Sequence, residues 1–187
     1  MQFELNQRID GAIASITNLK DEMDDVGAVI EAIAQCLHHG GTLYTCGNGG
    51  SAAQALHLAE ELIGRYRKER PPFKAICLNA DPTALTCIAN DFGFESIFSR
   101  QCEALLGKED VLLVLSTSGD SENLVEALEV AKEVGAKALG LLGNRGGDCR
   151  VRCDRSLVIP GDDSAHIQEA HMVMIHLICE ALEEGLA

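Results

Sequence analysis

A chain of 187 residues is long enough for one domain with a full core and leaves a second domain cramped. A formal net charge of −14 argues against a nucleic-acid binder, which depends on clustered Lys and Arg, and no apolar run approaches the roughly 18 residues of a membrane helix. The composition, 47% hydrophobic and 24% charged, is that of a globular protein, and the start MQFELNQRIDGAIAS lacks the basic and apolar stretches of a secretion signal, so a cytoplasmic location is expected.

In chain order, residues 3–19 and 22–39 carry apolar residues at three-to-four spacing (Ile13, Ile16, Leu19; then Val26, Val29, Ile30, Ile33, Leu37), which predicts two helices. They precede the first strand and are expected to be free for packing against a partner subunit. Leu43 to Cys46 reads as a strand, the glycines and Ser51 that follow as a turn, and Ala52 onward as a helix. Pro71-Pro72 stops that helix, and Phe73–Leu78 is the second strand. A short helix over 83–89 leads to Asn90-Asp91-Phe92-Gly93 as a connection, with a further helix over 94–106. Val111–Leu115 is an unbroken apolar run, as befits a central parallel strand covered on both faces. A helix over 122–134, strands at 138–142 and 156–159 with a turn and short helix between them, and a long helix over 164–184 complete the pattern. Strands alternating with helices predict an α/β fold with a five-stranded parallel sheet. The mixed patch Arg65–Arg70 reads as a solvated loop, and the eight scattered cysteines as small buried hydrophobes of a reducing compartment.

Two stretches carry chemistry. In the first, Gly47-Asn48-Gly49-Gly50-Ser51 joins a strand to a helix N-terminus, where free backbone N–H groups and the helix dipole favour an anion. Four residues apart on that helix, His57 and Glu61 share a face. The blander reading is a connecting turn and two solvated side chains. No Gly-Lys-Ser/Thr follows and the spacing is not that of a dinucleotide fingerprint, so a nucleotide is not favoured. In the second stretch, Ser116-Thr117-Ser118-Gly119-Asp120-Ser121 places four hydroxyls between a strand and a helix; capping accounts for one of them, and a phosphate cradle for all. Both turns lie at carboxyl ends of strands, where such sheets bind ligands.

Five segments in order, CGNGGS (46–51), the His57 to Tyr66 stretch HLAEELIGRY, NDFGF (90–94), STSGDS (116–121) and the segment from Ile167 to His176, resemble the sugar isomerase (SIS) fold family, and within it the phosphoheptose isomerase family. The match spans nearly the whole chain beyond the first helices. The resemblance implies a flavodoxin-like three-layer sandwich, one SIS domain over residues 1–187 with residues 1–40 given to oligomer packing. It implies conversion of D-sedoheptulose 7-phosphate to D-glycero-D-manno-heptose 7-phosphate through a cis-enediol, the first step towards the heptose of bacterial lipopolysaccharide. It implies a homotetramer with active sites at subunit contacts and one zinc ion per subunit. Carried over, Glu61 and His176 would be the proton-transfer pair, and His57, Glu61, Gln168 and His176 the metal ligands. Ser51, Ser116, Thr117, Ser118 and Ser121 would hold the phosphate, with Asn48, Gly49, Gly50, Glu61, Asn90, Asp91 and Gln168 near the sugar.

Two positions depart from the family pattern: Asp120 stands where Asn is common, setting a negative charge beside the phosphate unless its side chain turns away, and Ala165-His166 stand where Asp-Arg is usual. Non-catalytic readings of the same fold are a protein that binds the bacterial replication initiator and a sugar-phosphate sensor. The retained Glu61 and His176 favour the enzyme.

Overall fold

Uninterrupted apolar runs dictate the centre of the molecule. In the computed structural model, which describes residues 2–185, the run at Val111–Ser116 forms β3, every residue of it buried. It pairs in parallel with β1 (Leu43–Gly47) on one side and β4 (Lys137–Gly143) on the other, and the short edge strands β2 (Ala75–Cys77) and β5 (Arg155–Ile159) complete a parallel sheet ordered β2-β1-β3-β4-β5. Strand pleating sends alternate side chains to opposite faces. Leu43, Leu113, Leu115, Leu139 and Leu141 pack in one core with α2 (Met23–His38), α3 (Gly50–Ile63) and α8 (Ser164–Gly185). Tyr44, Cys46, Leu112, Val114 and Leu142 pack in another with α5 (Ser99–Leu105) and α6 (Glu122–Val134). Each fully buried Leu contributes roughly 1.5–3 kcal/mol by leaving water. This is the expected α/β sandwich of three layers.

The remaining helices are α1 (Gln2–Asn18), α4 (Pro82–Phe92) and the single turn α7 (Gly147–Arg150). Local chemistry sets several boundaries. Asp81 caps α4 by accepting from the Thr83 and Ala84 N–H groups at 2.8 and 3.1 Å, with Pro82 in the first turn. Gly135, at φ 79°, ends α6 in the left-handed conformation that a side chain would resist.

Four expectations need correction. Helix α2 is not free for a partner: Val26, Val29, Ile33 and Cys36 are buried in the core beneath the sheet. Of these two helices it is α1, packed on the outside of α8, that presents an open apolar stripe, with Leu5, Ile9, Ile13 and Ile16 exposed at helical spacing. Asn90 and Asp91 belong to the last turns of α4 rather than to a connection, because the helix runs on to Phe92 before Gly93 (φ 95°) breaks it. The helix expected over 94–106 is divided into a 3-10 turn at Phe94–Ser96 and α5. Cys87 is exposed, unlike the other cysteines.

Strand order reverses between β1 and β3, so the turns that follow these two strands flank the crevice where doubly wound sheets take ligands. Among the described residues no helix is long and apolar enough to cross a membrane.

Candidate active site

Two turns and two helices build the site. After β1, Gly49 takes φ 56° and acts as the N-cap of α3, leaving Gly49 and Gly50 exposed and Ser51 buried in the first turn. Asn48 is tied to Asn123, at the start of α6, by reciprocal amide hydrogen bonds of 2.9 Å each. The β1 turn and the β3 turn are thereby joined. Asn79 closes the other side, its amide both accepting from Gly47 N–H and donating to Gly47 C=O. A cleft of about 290 Å³ opens here, with Asn48, Gly49, Asn79, Thr86 and Phe94 in its walls.

In the β3 turn the four hydroxyls divide their work. Ser116 is buried and its Oγ accepts from Gly119 N–H at 2.9 Å, which shapes the loop. Thr117 donates to Ser164 Oγ at 3.2 Å, joining the loop to the start of α8. Ser118 is exposed and accepts from Asp120 N–H, while Ser121 occupies the N-cap position of α6 without spending its hydroxyl on a cap bond. Ser118 and Ser121 are therefore the hydroxyls most available to an anion. Gly119 (φ 77°) lies so close to the Gly146 carbonyl that no side chain fits. Asp120 turns aside: its Oδ1 accepts from Asp148 N–H at 3.0 Å at the start of α7.

The second half of the site lies between α3 and α8. His57 and Glu61 share one face as their spacing requires, with Nε2 and Oε1 3.7 Å apart, and Glu60 Oε2 is 3.8 Å from the other imidazole nitrogen. From α8, His176 brings its ring to 5.8 Å from that of His57, edge to face. The Tyr66 ring stacks on His176 at 5.5 Å and 23°, and the Arg67 guanidinium covers Tyr66 at 4.8 Å. His57, Glu60 and Glu61 hold one ligand atom each within 4.8 Å of one another, a nitrogen-and-oxygen donor set that suits a divalent cation such as zinc.

Gln168 stands apart from this cluster. Its amide packs over Gly50, two helical turns from His57 along α3, and its carbonyl accepts from Gln54 Nε2 at 2.7 Å. Asn90 and Asp91 are exposed at the end of α4, joined to each other by a 2.7 Å hydrogen bond. The departure at Ala165-His166 has a structural counterpart. His166 lies over Gly11 of α1, bonds Glu169 at 2.9 Å and lies 3.2 Å from Arg8, which is itself paired with Asp163, so His166 helps seat α1 on α8.

Sequence reasoning missed three features. Glu60 lies three residues after His57 on the same helix, a spacing that could have found it. Tyr66 and Arg70 were placed in a solvated loop, yet the Arg70 side chain is 1% exposed and pairs with Glu183 at 3%. Nothing in the local pattern pointed to Glu183, because its partners lie more than a hundred residues back in the chain.

Comparison with known proteins agrees with this geometry. The SIS domain family matches residues 9–143. A Campylobacter jejuni protein named phosphoheptose isomerase 1 is 50% identical over 167 residues, covering 89% of this chain and 88% of that protein. The chain belongs to the phosphoheptose isomerase family of SIS-domain proteins. Two solved members have the same fold: the Francisella tularensis phosphoheptose isomerase (TM-score 0.94, 33% identity) and that of Neisseria gonorrhoeae (TM-score 0.92, 34% identity), each with 98% of both chains covered. Family membership makes the chain an isomerase.

Proposed function

We propose that the chain interconverts D-sedoheptulose 7-phosphate and D-glycero-D-manno-heptose 7-phosphate in the cytoplasm, the opening step towards the heptose of surface polysaccharides. The observation that carries this reading is the approach of both Glu61 on α3 and His176 on α8 to His57, in a chain whose relatives bear the name of that enzyme. Moving the carbonyl between C2 and C1 needs one group to carry a proton between carbons and another to serve the oxygens. Glu61 carboxylate takes the proton from C1 of the open-chain ketose, the electrons flow into a cis-enediol, and the same proton is returned at C2. His176 gives a proton to O2 and takes one from O1, so the sum is an isomerisation with no external oxidant. Ser118, Ser121 and the free N–H groups at the starts of α3 and α6 hold the phosphate, with Ser51, Ser116 and Thr117 shaping that cradle.

Of the zinc ligands that the resemblance implies, His57, Glu61 and His176 lie on the facing parts of α3 and α8, with Glu60 a further carboxylate beside His57, and Gln168 joins them only if its amide leaves Gly50. A divalent ion there would supply Lewis acidity to the carbonyl and fix its geometry. A carboxylate shared with a cation is a weaker base, which sets a limit on how far Glu61 serves both roles.

The homotetramer with shared active sites draws support from distance. Ser51 and Glu61 are separated by ten residues of α3, roughly 15 Å along the axis, a long span for one phosphosugar to bridge within a subunit. The exposed stripe of α1, within residues 1–40, is the surface for assembly, and the chain acts as one SIS domain.

The test is incubation with sedoheptulose 7-phosphate, with and without a chelator, following the aldose product by NMR. Product lost on chelation and restored by zinc establishes reaction and metal together; product indifferent to chelation keeps the isomerase without the metal. Binding without product in either condition turns the reading towards a phosphosugar-binding protein. Glu61→Gln is expected to lower turnover at least about a hundredfold while phosphosugar binding persists.

A further inference from the structure

Glu183, in the last turns of α8, is buried and negatively charged, and the acid-base chemistry above makes no use of it. Its two oxygens accept from the backbone N–H groups of Tyr66, Arg67 and Lys68 at 3.0, 3.0 and 2.9 Å and from Arg70 Nε at 3.2 Å. Burial alone would push this carboxyl up; three backbone donors and the Arg70 guanidinium bring it below its ordinary value. Arg70 then spends its remaining nitrogens on the carbonyls of Glu61 (2.9 Å), Leu62 (3.0 Å) and Pro71 (3.1 Å). The first two of those carbonyls belong to the last turn of α3, where a cation answers the negative end of the helix dipole.

Such an investment is costly unless every partner is satisfied, since a buried ion pair stabilises little by itself. What it does here is geometric. The loop gathered on Glu183 carries Tyr66, whose ring stacks on the imidazole of His176, seven residues before Glu183 on α8. Arg67 of the same loop lies over the Tyr66 ring and pairs with Glu180, one turn beyond His176. Through Arg70, the same carboxylate also grips the backbone of Glu61. One buried group thus touches the supports of both members of the proton-transfer pair.

We propose that Glu183 is a positioning residue for the isomerase, holding the Tyr66 ring against the His176 imidazole and, through Arg70, the turn of α3 that carries Glu61. The proposal rests on the isomerase reading for its kinetic consequence, though not for its geometric one.

The experiment compares wild type, Glu183→Gln, Tyr66→Phe, Tyr66→Leu and the Tyr66→Leu/Glu183→Gln double variant by steady-state kinetics on sedoheptulose 7-phosphate, by thermal melting, and by NMR of the His176 ring. Tyr66→Leu is expected to lower kcat at least about tenfold with KM little changed, because a small misplacement of an acid-base group is expensive. Tyr66→Phe keeps the stack and is expected to keep the wild-type kcat. Glu183→Gln should resemble Tyr66→Leu, and the double variant should be no worse than the poorer single one to within about twofold, as coupled residues are. The His176 ring protons should lose the upfield shift imposed by a stacked aromatic in Tyr66→Leu and in Glu183→Gln.

A folded Glu183→Gln with unmoved His176 signals or an undiminished kcat overturns the proposal. If Glu183→Gln does not fold, the partly exposed Tyr66 decides: Tyr66→Leu with unchanged signals or unchanged kcat overturns it equally. A wild-type chain without turnover defeats the isomerase reading instead, and the ring signals alone then decide whether Glu183 sets the imidazole.

Discussion

His171 illustrates how the environment rewrites a residue whose sequence context is mute. It sits on α8 with its side chain fully buried, its Nε2–H donating to the Leu142 carbonyl at 3.1 Å and its Nδ1 without a partner. Burial pushes its pKa down to about 4, against the smaller opposing effect of that hydrogen bond. The unfolded chain binds the proton near pH 6.5 and the folded chain only near 4, so the stability that neutral His171 confers is complete above 6.5 and drains away as pH falls to about 4. The loss comes to about 3 kcal/mol over that window. Urea unfolding at several pH values checks this: His171→Gln should show a shallower decline on acidification than the wild type. The apolar residues around His171 in the sequence do not say whether its ring is packed or exposed; the partner carbonyl on β4 decides it. Glu61 and His57 were legible because helical spacing alone sets them side by side. Glu183 was not, because an acidic residue in a helix ending EALEEG reads as solvated until the loop of residues 66–70 is folded over it.

At the scale of elements, the pairing of α3 with α8 is what the site depends on, and Gly50 lies in it beneath the Gln168 amide. A Cβ at Gly50 would meet the Gln168 amide at 2.6 and 2.7 Å, the far end of a flexible side chain. Gly50→Ala should therefore cost little stability, since alanine favours a helix, while displacing that amide. Unchanged or raised melting temperature with kcat/KM lowered about tenfold is the expected result; unaltered kinetics would mean that Gln168 contributes nothing from its place over Gly50. The strands and long helices were legible because hydrophobic periodicity is local. The end of α4 was not, since the sequence shows a polar Asn90-Asp91 pair where the chain still turns as a helix until Gly93. The fate of Asp120 was likewise settled by a long-range partner, the Asp148 N–H at the start of α7.

For the whole molecule, the exposed stripe of α1 is the feature that bears on assembly. Its inner side is small, with Gly11 lying beneath His166 and Ser15 buried, and its outer side shows Leu5, Ile9, Ile13 and Ile16. An acidic chain of net charge −14 leaves this stripe as an apolar path along its surface, and a second copy is the partner the family resemblance names. If the chain assembles as proposed, Ile9→Glu with Ile13→Glu is expected to shift sedimentation from the proposed tetramer to smaller species and to make specific activity fall on dilution; an unaltered sedimentation coefficient would remove α1 from the proposed interface. Seven of the eight cysteines are buried or half-buried, and burial pushes Cys102, Cys149, Cys153 and Cys179 up to about 12, whereas Cys87 stands exposed on α4. The chain therefore carries its own gauge of integrity: a thiol reagent added to the native protein should consume one equivalent promptly, and the slow uptake of the rest should clock the opening of the two cores.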